Sequence, residues 1–80
     1  SLIGALLSAI IYMFGCASAE TNTGKIAFQK KEYEKAAEEL KKGLAKNSSD
    51  AEGWYMLGVS LIETGKYKEG GEALKKSLSV

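Results

Sequence analysis

Trp54, Leu57, Gly58, Leu61 and Ile62 recur at three- and four-residue steps, the spacing that gathers side chains on one face of a helix. Thr64-Gly65-Lys66 interrupts that run, and Gly65 is the residue type best suited to end a helix in a left-handed conformation. Tyr67, Leu74 and Leu78 then supply a second apolar stripe, set among Lys68, Glu69, Glu72, Lys75 and Lys76. Residues 51–80 therefore read as two helices joined by a tight turn. Upstream, Tyr33, Ala36, Ala37, Leu40 and Leu44 form a similar stripe within residues 32–46. A short helix over residues 25–30 precedes it, with Ile26, Ala27 and Phe28 as its apolar content and Thr21, Asn22 and Thr23 as capping side chains. Asn47-Ser48-Ser49-Asp50 is a loop, and Ser49 with Glu52 has the spacing of a capping box for the helix that follows. The pattern predicts an all-α fold.

The two hairpins are copies. Sliding the chain by 34 residues lays 17–46 over 51–80 and matches Ala17/Ala51, Gly24/Gly58, Tyr33/Tyr67, Glu38/Glu72, Leu40/Leu74, Lys41/Lys75, Lys42/Lys76 and Leu44/Leu78. Lysine and glutamate matches are common in charged helices. The Gly, Tyr and Leu matches weigh more, because they fall at helix crossings and core positions. A helix pair repeated every 34 residues is a known solenoid period.

Trp54-x-x-Leu57-Gly58-x-x-Leu61, followed by Gly70-x-x-x-Leu74, resembles the tetratricopeptide repeat. Leu61, Gly70 and Leu74 stand where that family carries Tyr, Ala and Phe. The first copy is more degenerate. Gly24, Ala36 and Leu40 fit, but Glu20, Thr23 and Ala27 occupy the Trp, Leu and Tyr positions, and Ser48 replaces a loop proline. The resemblance spans residues 20–80, as repeats 20–50 and 51–80, and implies a protein-binding scaffold without catalysis. In such arrays the first helix of each pair lines a groove for a peptide or partner helix. The positions carried over are Tyr55, Val59, Ile62 and Glu63 in the second repeat and Lys25, Phe28 and Gln29 in the first. The basic-and-Asn clamp that some members use for terminal carboxylates is not reproduced, because Val59 and Thr21 occupy places it would need.

Residues 1–19 carry no charge and are almost wholly apolar. As a helix they would measure roughly 28 Å, close to the thickness of a bilayer's hydrocarbon core. Three readings stand side by side: an export signal, a retained anchor or filament core, and a core helix of a larger protein. Met13-Phe14-Gly15-Cys16 resembles a bacterial lipoprotein signal and makes Cys16 a lipidation site, although a small apolar residue in an apolar helix is the equal alternative. The retained reading resembles pilin-like subunits weakly, since no acidic residue opens the helix. The signal and anchor readings imply membrane attachment through residues 1–19 and, together with the filament reading, a location in the cell envelope or outside the cell.

Eleven basic against ten acidic residues leave a net charge of +1, which makes no electrostatic case for nucleic acid. Without His, and with a single Cys, the chain offers neither a metal site nor a disulfide. No cofactor is implied. Asn47-Ser48-Ser49 also matches the acceptor pattern for N-glycosylation at Asn47. A chain of this length buries only about 60% of its extended surface, and stacked repeats need neighbours. Leu74, Leu78 and Val80 are therefore expected to form an assembly face, covered by a partner or by further copies of the chain.

Overall fold

The computed structural model describes residues 18–80. Four α-helices follow one another: α1 Ala19–Gln29, α2 Tyr33–Lys46, α3 Ala51–Glu63 and α4 Tyr67–Ser79. No strand interrupts them among the described residues. α1 packs on α2 and α3 on α4 as two hairpins, and α3 also packs on both helices of the first hairpin. Of the apolar segment expected over residues 1–19, residues 1–17, Cys16 among them, lie outside the described residues, and Ala19 is already the first residue of α1.

The turns repeat as faithfully as the side chains do. In the first hairpin the Lys31 amide donates to the Phe28 carbonyl and the Glu32 amide to the Ala27 carbonyl, both at 2.9 Å. Thirty-four residues on, Gly65 donates to Ile62 at 3.0 Å and Lys66 to Leu61 at 2.8 Å. This pair of bonds closes a helix C-terminus through one left-handed residue. Gly65 takes that role at φ 84°, as its residue type foretells, whereas Lys31 takes it at φ 62° against its preference.

The core is one cluster of Ala27, Ala36, Ala37, Leu40, Leu44, Leu57, Leu61 and Ala73, with Phe28, Trp54 and Met56 packed against it. Close helix crossings depend on glycine. A Cβ on Gly24 would lie 2.7 Å from Leu40 Cγ, and one on Gly58 the same distance from Leu74 Cγ. Gly70 is buried against Ile62 and the Gly58 carbonyl, but Gly71 faces open space and has no part in a crossing. The second apolar stripe is narrower than its spacing suggests: Leu74 is half-buried, while Tyr67 and Leu78 are exposed.

Two helix starts differ from expectation. α1 begins earlier, because Ser18 rather than the Thr21–Thr23 group is its cap: the Thr21 amide donates to Ser18 Oγ at 3.1 Å. Ser18 is in extended conformation, and α1 begins directly after it at Ala19. At α3 the cap is Asp50, which accepts from the Gly53 amide at 2.9 Å. Ser49 turns the other way and donates its hydroxyl to Asn47 Oδ1 at 2.8 Å. The capping box of Ser49 and Glu52 is therefore not formed.

Candidate functional site

The groove residues carried over from the repeat pattern separate into accessible and structural ones. Tyr55, Glu63 and Gln29 are exposed; Lys25, Phe28, Val59 and Ile62 are half-buried. Tyr55, Val59, Ile62 and Glu63 share a face of α3 by helical spacing, as Lys25, Phe28 and Gln29 share one on α1. Three of the half-buried residues have work inside the fold. Phe28 meets Tyr33 edge to face, with centroids 5.9 Å apart. Ile62 fills the space beside Gly70. Lys25 reaches from α1 to the start of α3, 3.1 Å from Asp50 and 3.8 Å from Glu52.

That last contact makes Asp50 the joint between repeats. Burial opposes its charge, but the Gly53 amide and the Lys25 ammonium together outweigh burial and hold its carboxyl below the usual value. Loss of a helix cap costs about 1 kcal/mol, so Asp50→Ala is expected to destabilise the chain by at least that, and by more than Glu52→Ala. The pH dependence follows from the direction of the shift. Asp50 is more acidic folded than unfolded, so its contribution is complete above the unfolded carboxylate range, near ~3.9, and is lost as pH falls through the lowered folded value. Thermal melts of the parent should therefore drop faster on acidification than those of Asp50→Ala. Parallel acid limbs would contradict the joint. A second link, Lys46 to Glu20 at 2.7 Å, ties α2 to the start of α1, and that hydrogen bond lowers the Glu20 carboxyl.

A second concave region lies between α2 and α4, which do not pack on one another and leave α3 as the floor. It has two overlapping compartments of about 400 and 440 Å³, sharing Lys41, Trp54, Leu57 and Lys76. Trp54 is held there by its indole N–H, which donates to the Ser48 carbonyl at 2.8 Å, and Lys76 Nζ sits 5.9 Å from the ring centroid. Helical spacing assigns Trp54 to the core stripe and carries no sign of this groove.

The proposed assembly face is mixed. Leu74 packs over Gly58, whereas Leu78 is 89% exposed and Val80 is exposed as well. Its counterpart in the first hairpin, Leu44, is 3% exposed, because α3 covers it at Gly53. Asn47 is half-buried, and its side-chain oxygen also accepts from the Ser49 amide at 3.3 Å. Among the described residues no group of His, Cys, Asp and Glu is arranged to hold a metal ion, and no helix is long and apolar enough to cross a membrane.

Two helical hairpins in 34-residue register, the second seated on the first, define a helical-repeat protein of the solenoid type. The family models agree: residues 24–65 match the TPR repeat and residues 51–80 the tetratricopeptide repeat. The chain belongs to the tetratricopeptide repeat family. Such repeats are generally non-catalytic modules that bind protein or peptide partners. No curated protein and no solved structure matches the chain.

Proposed function

We propose that this chain is a scaffold or adaptor module that seats a peptide or helix of a partner protein across α1 and α3, with Tyr55 as the anchor. The observation that carries this reading is a contrast between copies. Thr21 is 3% exposed, but Tyr55, 34 residues on, is 53% exposed. An aromatic side chain held in water by a rigid helix has lost little freedom and offers a large apolar area, the character of an interface anchor. Val59 and Glu63 extend the same helical face at four-residue steps.

Attachment to the cell envelope through residues 1–19, with Cys16 lipidated, is the finer part of the proposal and is supported by the apolar run and the Gly15-Cys16 pair. The contrast of Leu44 with Leu78 favours a second reading, in which copies of the chain associate through α4.

One experiment addresses all of this. A photo-activatable phenylalanine at position 55, 35 or 78, introduced in the source cells, should cross-link one discrete partner from position 55 and none from Lys35, which is exposed on α2. Equal cross-linking from 55 and 35, or none from 55, refutes the anchor. Chain-to-chain products from position 78 support the second reading. The intact mass of the same preparation shows whether residues 1–15 are lost and a lipid gained.

A further inference from the structure

The groove between α2 and α4 has a design that the Tyr55 face does not share. Its floor is Trp54 and Leu57, with Leu44 on one wall, and its two ends differ in charge. The compartment at the Ser48 end is lined by Lys41 and Lys76 and by no carboxylate. The other compartment adds Glu69 and Glu72. Lys76 rests near the Trp54 ring and has no carboxylate partner among the described residues. Lys41 pairs with Glu69 at 3.5 Å, but both side chains are about half in water, at 49% and 57% exposure. A pair so exposed is weak, and a better-placed carboxylate can displace it.

We propose that this groove is a second docking site, for a partner helix whose apolar stripe is flanked by an acidic residue at the Ser48 end and a basic residue at the Glu69 end. Charge complementarity selects the occupant. A simple fatty acid or other anionic amphiphile would satisfy Lys41 and Lys76 but leave Glu69 and Glu72 unmatched. A peptide of a single sign would be repelled at one end. Glu69 and Lys76 are seven residues apart on α4, roughly 10 Å at the helical rise of 1.5 Å per residue. A helix lying alongside α4 matches them with opposite charges two turns apart. The apolar side chains between those charges would cover Trp54 and Leu57.

The proposal rests on the reading of the chain as a protein-interaction module, yet it fails or stands separately. Trp54 is the only tryptophan in the chain, so its fluorescence reports this groove directly. The full chain is titrated with a capped 14-residue helical peptide carrying Leu at positions 4, 7 and 8, Glu at position 3 and Lys at position 10. A counterpart with Lys at both charged positions and sodium dodecanoate serve as comparisons. The expected result is a blue shift of the emission that saturates at tenfold or more lower concentration for the first peptide than for either comparison. Lys76→Glu should weaken that peptide at least tenfold, whereas Lys75→Glu, which changes an exposed residue of α4 outside the groove lining, should not. Tyr55→Ala should leave the titration unchanged. Equal response to the two peptides, tighter response to dodecanoate, or indifference to Lys76→Glu overturns the assignment. Loss of the response in Tyr55→Ala also overturns it, by moving the binding to the other face.

Discussion

Alanine at Gly70 is expected to destabilise the second hairpin, while alanine at its neighbour Gly71 is expected to stabilise it. Both residues lie inside α4, so both substitutions gain about 1 kcal/mol of helix propensity. What differs is the space each new methyl would enter. At Gly70 the Cβ would stand 2.6 Å from Ile62 Cγ1 and 2.8 Å from the Gly58 carbonyl oxygen. Ile62 can rotate, but the Gly58 oxygen is backbone, so relief requires the two helices to part. Overpacking of this kind costs about 1–3 kcal/mol, which exceeds or cancels the propensity gain. At Gly71 nothing lies within 4 Å of the added Cβ, and the gain stands alone. In a domain this small 1 kcal/mol moves the midpoint by about 4–8 °C. Thermal melts should therefore place Gly71→Ala above the parent and Gly70→Ala below it. A rise in both would mean that the crossing of α3 and α4 is looser than described.

The largest loss is expected from Leu40→Ala. Leu40 is 0% exposed and lies over Gly24, so its removal leaves a cavity where α1 crosses α2. Substitutions of this kind cost about 2–5 kcal/mol, a large share of the 5–15 kcal/mol typical of whole domains. Leu74 is its repeat partner and packs over Gly58 in the same way, but it is half-buried. Leu74→Ala should therefore cost distinctly less than Leu40→Ala, and Leu40→Met should cost under about 1.5 kcal/mol, since it keeps the volume. Urea unfolding followed by helical circular dichroism reads all three. Equal losses at positions 40 and 74 would show that the open side of α4 is as well covered as the interior, and would remove the argument for a partner there.

The periodicity carried much of this architecture. Four helices, the 34-residue repeat and the left-handed Gly65 all follow from rules of spacing and residue type along the chain. The same rules missed where neighbouring residues of similar chemistry compete. Ser49 and Asp50 can both cap a helix; Asp50 does so because the path of the loop presents it to the Gly53 amide. Lys31 shows a further limit, for a lysine in a left-handed turn has no local signature and is held there by the hydrogen bonds of the repeat.

The functional surface divides along the same line. The resemblance to the repeat family singled out Tyr55, Val59, Ile62 and Glu63, and helical spacing keeps them on one side of α3, because a face of one helix is a property of its own residues. Lys25 belonged to the predicted groove too, yet the fold turns it into an inter-repeat tie to Asp50, a residue 25 positions away. The cleft floored by Trp54 exists only because α2 and α4 stand apart on either side of α3. Sequence by itself determined the helices, their repeat and the residues each face could offer. Tertiary packing alone decided which of those residues remained in water, since burial depends on neighbours brought from elsewhere in the chain.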